Sequence, residues 1–253
     1  MSETVYGLHA IEALLARSPE RIIEVFIIKG REDKRLLAVV RQLEQLGLPV
    51  KVANRQWLDE KSKNGVHQGI LAMVTPNRGY QENDIPLLME QQPNPVILIL
   101  DGVTDPHNLG ACIRTADAAG VDFIIVPKDR SAPLNSTAQK VACGAAESVP
   151  VVRVTNLART MRMLQDEYQV WIVGTAGEAD RALYQTNFYK TSTQTALALV
   201  MGAEGEGMRR LTKEHCDELV SIPMAGIVSS LNVSVATGVC LFEIVRQKSA
   251  IRT

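Results

Sequence analysis

Cysteine is scarce in this sequence, and its spacing does not resemble that of a metal site. The four cysteines are Cys112, Cys143, Cys216 and Cys240, all far apart. No CxxC pair or Cys/His ligand spacing appears, so neither zinc nor a disulfide framework is indicated. Isolated cysteines of this kind are typical of small buried side chains in a reducing compartment. We therefore expect a cytoplasmic protein that binds no metal.

Two further features are missing, a long hydrophobic run and a strong charge of either sign. No apolar run approaches the length of a membrane span and no signal peptide opens the chain, which indicates no membrane partner. The 27 basic and 28 acidic residues give a net charge of −1, so a nucleic-acid partner must meet a local basic patch. With 253 residues and 46% hydrophobic content, the chain can bury one large core or two smaller ones.

The first 75 residues alternate helical and strand patterns and carry a small positive excess. Apolar spacing predicts a helix beginning near Leu8, a strand over 22–28 and a second helix that ends at Gly47. Short strands are expected at 49–53 and 69–74. Eleven Lys and Arg against nine Asp and Glu give this part a balance of +2, whereas the remainder has 16 against 19, a balance of −3.

Basic residues cluster between a predicted strand and a predicted helix, in the run KGREDKR. An isolated charge run is more often the solvated start of a helix. Beside a catalytic domain that acts on RNA, the same run becomes a candidate for phosphate contacts. The candidate RNA-binding residues are Lys29, Arg31, Lys34 and Arg35.

Proline and glycine interrupt the pattern after the first 75 residues. Pro76, Gly79, Pro86 and Pro93 stand among polar residues, and we interpret 76–94 as a linker. The sequence therefore predicts two domains, residues 1–75 and residues 95–253.

The second domain alternates strands and helices more strictly, which predicts an open parallel α/β sheet. Its first strand is a continuous apolar run, as a sheet covered on both faces requires. Strands are expected at 96–100, 123–126, 149–154, 170–173, 196–201 and 219–222. Ligands of such sheets bind beyond the carboxyl ends of the strands, and three loops with unusual residues lie there.

Two of these loops combine small and polar residues with the start of a helix. In the first, DGVTDPHNLG, Asn108 can cap a helix that carries Arg114 six residues later. In the last, Ser230 or Asn232 suits the cap of a C-terminal helix. Small residues let a ligand approach the backbone, and helix N-termini offer it donors. An ordinary capped helix explains either loop equally well.

The middle loop, GAEGEG, is rich in glycine but acidic. It differs from the dinucleotide motif G-x-G-x-x-G and lacks the lysine of a phosphate-binding P-loop. Glu204 and Glu206 would repel phosphate and favour a cationic ligand. This argues against NAD or ATP and suits S-adenosylmethionine, although an acidic residue also favours a helix start.

Taken together, the three loops resemble a known set of motifs. DGVTDPHNLGACIRTADAAG, LALVMGAEGEGM and IPMAGIVSSLNVSVATG resemble, in this order and spacing, the motifs of the SpoU branch of the SPOUT methyltransferases. The resemblance covers about residues 95–247. The first 75 residues resemble the small RNA-binding domain, similar to ribosomal protein L30e, that precedes this catalytic domain. Phrases such as VPKDRSA and KVACGAAESVP resemble the bacterial enzymes that methylate a guanosine ribose 2′-hydroxyl in 23S ribosomal RNA. A transfer-RNA 2′-O-methyltransferase is the alternative within the family.

The resemblance implies a fold, a cofactor and a set of site residues. It implies a trefoil knot at the C-terminal end of the sheet, a homodimer, and S-adenosylmethionine as the cofactor. The implied catalytic residues are Asn108, Arg114, Glu204, Ser230 and Asn232. The implied cofactor contacts are Thr175, Ala176, Gly177, Gly202, Ile222, Met224 and Leu231.

The resemblance points to Arg114 as the base that takes a proton from the ribose hydroxyl. A guanidinium is almost always protonated, so Arg114 is either an unusually perturbed base or a phosphate clamp that acidifies the hydroxyl. Two rival classes stay open: a non-catalytic RNA-binding protein and a dinucleotide-dependent oxidoreductase. The intact Arg114 argues against the first and the acidic glycine loop against the second.

Apolar residues around more than one face of the C-terminal helix also predict a homodimer. The residues that carry this expectation are Val233, Val239, Leu241 and Ile244.

Overall fold

The structure, a computed structural model, describes residues 2–30, 33–76, 79–189, 196–203, 205 and 207–251. Its contacts divide the chain into two compact units. The smaller comprises 1–78 together with 143–148, and the larger comprises 79–142 and 149–253.

The smaller unit contains a four-stranded mixed sheet in the order β1-β4-β2-β3. Strand β4 is antiparallel to both β1 and β2, whereas β3 is parallel to β2. The strands are β1 (Glu3–Tyr6), β2 (Ile22–Ile28), β3 (Val50–Ala53) and β4 (Ile70–Val74).

Helices α1 (Leu8–Arg17) and α2 (Lys34–Gln45) cover one face of this sheet and supply its core. Helix α3 (Arg55–Lys61) contacts β2 outside that core, through the rings of Trp57 and Phe26, and a 3-10 helix lies at Pro19–Arg21. Asp33 caps α2 by accepting a 2.9 Å hydrogen bond from the Leu36 N–H. The apolar stripe of α2 packs with α1 and with the inner face of the sheet, which explains why a 3.6-residue spacing predicted this helix.

The larger unit contains a seven-stranded sheet in the order β11-β9-β10-β6-β7-β8-β5, and every neighbouring pair is parallel. The parallel α/β sheet predicted from the alternation of strands and helices is confirmed. The strands are β5 (Tyr80–Gln81), β6 (Val96–Asp101), β7 (Phe123–Pro127), β8 (Val151–Val154), β9 (Val170–Thr175), β10 (Ala196–Gly202) and β11 (Glu218–Val220). Every residue of β6 and β7 is buried, as strands covered on both faces require.

Helices connect these strands. They are α4 (Ile85–Glu90), α5 (Pro106–Ala118), α6 (Ser136–Ala142), α7 (Ala145–Ser148, counted with the smaller unit), α8 (Leu157–Tyr168), α9 (Arg210–Glu214) and α10 (Val233–Ile251), with 3-10 helices at Glu82–Asp84 and Leu183–Gln185. The pattern over 136–146 predicts one helix, but the chain forms two. Cys143 and Gly144 have φ values of 52° and 93°, which end α6 and turn the chain into α7.

The segment interpreted as a linker, 76–94, contains ordered elements. Strand β5 pairs with β8, and α4 buries Ile85 and Leu88. Pro86 lies in the first turn of α4, where a proline leaves no backbone hydrogen bond unmade. Prolines that suggested an irregular connection are therefore compatible with a helix start.

The C-terminal helix exposes other apolar residues than the sequence predicted. Val233, Leu241 and Ile244, which carried the argument for an unshielded face, are buried within the chain. Among the described side chains of α10, the large apolar ones that are exposed are Val235 and Phe242, at 52% and 49%. The reason is that α10 packs against α5 and β10, which buries the face that carries Val233, Leu241 and Ile244. Within the described residues, no helix is long and apolar enough to cross a membrane.

Candidate active site

The predicted loops meet at one edge of the larger sheet. Strands β11, β9, β10 and β6 are neighbours and parallel, so their carboxyl ends lie side by side. Val220 is level with Thr175, and Gly202 is level with Asp101. A 2.9 Å hydrogen bond from the Ala176 N–H to the Val220 carbonyl continues the ladder beyond β9.

Two predicted site residues, Asn108 and Asn232, are in direct contact. The Oδ1 atom of Asn232 accepts a 2.9 Å hydrogen bond from the Ser234 N–H and thereby caps α10. Its Nδ2 atom is left to donate to Asn108 Oδ1 at 3.0 Å. Of the two predicted caps of α10, the structure therefore selects Asn232.

Asn108 itself is not the cap of its helix. Asp105 caps α5 by accepting a 3.0 Å hydrogen bond from the His107 N–H, and α5 begins at Pro106. Asn108 lies in the first turn, so its side chain is available for the bond to Asn232. This contact joins the first and third motifs across 124 positions of sequence.

Arg114 and Ser230 are both exposed. Arg114 follows Asn108 by six residues, and Ser230 precedes Asn232 by two. Arg114 lies on α5 between the buried Ile113 and the half-buried Thr115. Six residues of helix place it about 120° around the axis from Asn108. Ser230 ends a loop whose residues, 223–230, are all exposed.

The acidic loop lies between β10 and α9, and Glu204 and Glu206 are outside the described residues. Ala203 and Gly207 exchange two backbone hydrogen bonds of 3.1 and 3.0 Å, which bring these two residues together. A Cβ atom on Gly202 would lie 2.3 Å from the backbone of Gly207 and Met208. Only glycine allows the returning chain to pass this closely.

An ion pair that the sequence analysis missed anchors this loop. The Asp101 carboxylate, at the end of β6, has a fully buried side chain. It accepts hydrogen bonds from the Arg209 N–H at 2.9 Å and from Arg209 Nε at 2.6 Å. An aspartate directly after a continuous apolar strand is the signal that could have identified it, but its partner lies 108 positions away.

The candidate cofactor residues line the same edge with small and apolar side chains. The Thr175 hydroxyl donates to the Val200 carbonyl at 3.1 Å, so this side chain serves the sheet. Ala176 is buried, whereas a Cβ atom on Gly177 would meet open space. The remaining candidates are Ile222 and Leu231, which are half-buried, and Met224, which is exposed.

The candidate RNA-binding residues belong to the smaller unit and differ in their surroundings. Lys29 and Lys34 are exposed, and Arg31 lies outside the described residues. Arg35 donates two hydrogen bonds to the Glu12 carboxylate, at 2.6 and 2.9 Å. These bonds lower the pKa of Glu12 and raise that of Arg35.

Among the described residues, no group of three or more His, Cys, Asp and Glu side chains is placed to hold a metal ion. Burial raises the pKa of Cys216 and of Cys240 to about 12, so both thiols stay protonated at neutral pH.

A parallel sheet whose carboxyl edge joins these three motifs defines an α/β enzyme of a recognised family. Residues 95–242 match the SpoU rRNA methylase family, and residues 4–80 match the substrate-binding domain of RNA 2′-O ribose methyltransferases. The chain belongs to the SpoU rRNA methylase family.

Relatives of known function extend over nearly the whole chain. The chain is 70% identical to the 23S rRNA (guanosine-2′-O-)-methyltransferase RlmB of Escherichia coli K12 over 249 residues, which cover 98% of this chain and 100% of that protein. It is 66% identical to the RlmB protein of Photorhabdus laumondii over 250 residues, with 99% and 100% covered.

Solved structures of the family share the fold. The SpoU methyltransferase AviRb of Streptomyces viridochromogenes, in complex with AdoMet (S-adenosylmethionine), matches with a TM-score of 0.74 at 24% identity, covering 98% of this chain and 91% of that one. An AdoMet-bound rRNA methyltransferase from Sinorhizobium meliloti matches with a TM-score of 0.71 at 26% identity, covering 97% and 87%.

Proposed function

We propose that this chain transfers a methyl group from S-adenosylmethionine to the 2′-hydroxyl of a guanosine in 23S ribosomal RNA. The observation that carries the proposal is the contact between Asn108 and Asn232, which unites two family motifs at the carboxyl edge of the sheet. The relatives that match over nearly the full chain carry this activity in their names. A ribosomal RNA substrate also favours the cytoplasm as the location.

The residues at the sheet edge fit the proposed cofactor. Gly177 leaves the backbone accessible, and the apolar side chains of Ile222 and Leu231 suit the faces of an adenine ring. S-adenosylmethionine would supply a methyl group on a positively charged sulfur, and the negative charge of Glu204, two residues after Gly202 in sequence, would favour it. No basic cradle for a pyrophosphate is needed, which distinguishes this site from a dinucleotide site.

The chemistry assigns distinct roles to the polar residues. A ribose hydroxyl must lose its proton as it attacks the methyl group, so a neighbouring group must assist. Arg114 either accepts this proton or clamps the adjacent phosphate. The amide pair of Asn108 and Asn232, with Ser230, orients the ribose and Arg114, and Glu204 serves as the charged partner of Arg114.

Substitution of Arg114 tests this assignment. We expect Arg114→Ala to lower the single-turnover rate at saturating 23S ribosomal RNA by about two to four orders of magnitude, because one essential group is removed. Cofactor affinity should be unchanged. Arg162→Ala, an exposed arginine of α8, is the matched control and should keep the normal rate.

Changes of RNA substrate, cofactor and metal content separate the alternatives. Methylation of transfer RNA in place of 23S ribosomal RNA would support the other branch of the family. Binding of NAD without S-adenosylmethionine would support an oxidoreductase. Activity lost to a chelator and restored by a metal would contradict a metal-free reaction, and a near-normal rate in Arg114→Ala would remove its catalytic role.

A trefoil knot is also proposed, and several contacts support it. Residues 181–188 lie against the start of the last loop, because the Ser221 N–H donates to the Arg181 carbonyl and the Leu183 N–H to the Ser221 carbonyl, both at 2.8 Å. The same segment is bonded to α10 through Gln247. Hydrogen bonds from 181–188 to both the last loop and α10 are the contacts expected of a segment that encloses the C-terminal part of the chain.

A homodimer built on the larger unit completes the proposal. Val235 and Phe242 are seven residues apart, so they lie on the same face of α10. Both are about half exposed, and Ile227 and Val228 of the preceding loop are exposed as well. A second copy of the same surface would bury these side chains in a twofold contact.

A further inference from the structure

A cluster on the smaller unit combines aromatic rings with lysines, and none of its residues belongs to the basic run at 29–35. The aromatic–lysine patch consists of Phe26, Lys51, Trp57 and Lys61. The rings of Phe26 and Trp57 are 4.3 Å apart between centroids and tilted by 40°. The Lys51 ammonium lies 5.8 Å from the centroid of Phe26, and the Lys61 ammonium lies 5.7 Å from that of Trp57.

Strand register and a helix cap explain the positions of Phe26, Lys51 and Trp57. Phe26 alternates with the core residues Val25 and Ile27 along β2, so it points to the opposite face of the sheet. Lys51 is its partner in register on β3. Asn54 caps α3 by accepting a 2.8 Å hydrogen bond from the Trp57 N–H, which places the indole in the first turn.

The patch is open to solvent. Phe26 and Trp57 are only half-buried, and both lysines are exposed. The Lys51 side chain, 58% exposed, is paired with Glu24. An exposed ion pair of this kind contributes little to stability, so an RNA phosphate could replace the carboxylate at small cost.

Aromatic faces flanked by ammonium groups suit unpaired nucleotides. Bases of single-stranded RNA stack on aromatic side chains, and adjacent lysines neutralise the phosphates that follow. The patch lies within residues 4–80, which match a substrate-binding domain. We propose that an unpaired base of the RNA substrate stacks on Trp57 at this patch, with Lys51 and Lys61 holding the neighbouring phosphates. The inference rests on the proposed function, because it assumes an RNA substrate.

Matched substitutions of Trp57 test the stacking. Trp57→Leu keeps an apolar side chain but removes the ring, whereas Trp57→Phe keeps an aromatic face. We expect Trp57→Leu to raise the concentration of 23S ribosomal RNA at half-maximal methylation by roughly 5- to 100-fold. The rate at saturating RNA should stay normal, and Trp57→Phe should retain most of the affinity. Thermal unfolding of both variants shows whether the smaller unit is folded.

The lysines have a separate readout. Replacing Lys51 and Lys61 together by glutamine should weaken RNA binding and flatten its dependence on salt. The slope of log affinity against log salt should fall by roughly 0.7 for each phosphate of single-stranded RNA that the protein no longer neutralises. An unchanged slope would contradict the proposed pairing of these lysines with phosphates.

Fluorescence provides direct evidence of stacking. The chain contains two tryptophans, Trp57 and Trp171, so Trp171→Phe leaves Trp57 as the sole reporter. Addition of a single-stranded RNA oligonucleotide should quench this emission, and the corresponding duplex should quench it much less. If wild-type protein methylates 23S ribosomal RNA, but Trp57→Leu is folded and needs no more RNA than wild type, the patch is not the binding surface. If wild-type protein methylates no RNA, the proposed function itself fails.

Discussion

Two adjacent basic residues at the start of α2 have different surroundings, and this difference leads to a prediction. Lys34 is exposed, whereas the Arg35 guanidinium is bound by both oxygens of Glu12. An RNA phosphate must compete with Glu12 for Arg35 but not for Lys34. We therefore expect Lys34→Ala to weaken RNA binding and reduce its salt dependence more than Arg35→Ala.

The control for this prediction is Glu12→Gln. Removal of the carboxylate charge makes Arg35 available to phosphate, so RNA binding should strengthen. Binding measured at several salt concentrations compares all three variants. A larger loss in Arg35→Ala than in Lys34→Ala would show that Glu12 does not shield this arginine.

A second residue, Glu243, ties the stability of α10 to pH. Its buried side chain accepts hydrogen bonds from Arg246 at 2.7 and 2.8 Å and from Gln247 at 2.7 Å. The bonds from Arg246 are the main cause of its lowered pKa. A lowered pKa stabilises the fold above the unfolded-state value, about 4.3, and this stability is lost as pH falls through the lower folded value.

We expect Glu243→Gln to flatten the loss of stability below about pH 5, because the substituted side chain does not titrate. Urea unfolding between pH 7 and pH 3 is the measurement. Glu167→Gln, on the exposed face of α8, should follow the wild-type curve. If the free energy of unfolding of Glu243→Gln falls with pH as it does in the wild type, other carboxylates dominate the loss of stability in acid.

At the scale of elements, Gln247 joins α10 to the segment that crosses it. Its Nε2 atom donates to the Thr186 carbonyl at 2.8 Å, and its Oε1 atom accepts from the Phe188 N–H at 2.9 Å. Gln247→Ala should cost about 1–3 kcal/mol, since it leaves these backbone groups without their partner. The midpoint of thermal unfolding should fall by several degrees. Lys248→Ala is the neighbouring control, and equal melting of both variants would contradict the role of Gln247.

Elements with a strong local pattern were predicted from the sequence, and those that depend on distant partners were not. Strand β2 was placed at its observed bounds because a β-branched run between polar residues has few alternatives. Strand β1 was missed, because only its pairing with β4, nearly 70 positions away, makes Glu3–Tyr6 a strand. Helix α3 was also missed, since seven residues are too few for a clear helical period.

The candidate site divides in the same way. Its residues were named through the family motifs, and the contact between Asn108 and Asn232 supports two of them as neighbours. The pair of Asp101 and Arg209 was missed, because the position of Asp101 after an apolar strand does not indicate a partner 108 positions away. Long-range ion pairs leave no periodic signal in a single sequence.

At the scale of the whole molecule, the proposed dimer depends on the exposed face of α10. We expect Phe242→Glu to dissociate the dimer, because the contact would bury two carboxylates without partners. Sedimentation analysis measures the change. Leu37→Glu, at an exposed apolar position of α2, should leave the dimer intact. Removal of residues 1–75 should also preserve it, and a monomeric fragment would show that the smaller unit is required.

The position of β10 also affects how the protein reaches its fold. Strands β6, β7 and β8 are consecutive in the chain and adjacent in the sheet, whereas β10 inserts between β9 and β6. Until β10 inserts, one edge of the buried and mostly apolar β6 presents unpaired backbone N–H and C=O groups. Such an edge pairs readily with a strand of another molecule. Refolding from denaturant therefore competes with aggregation, and the yield of native protein falls as its concentration rises.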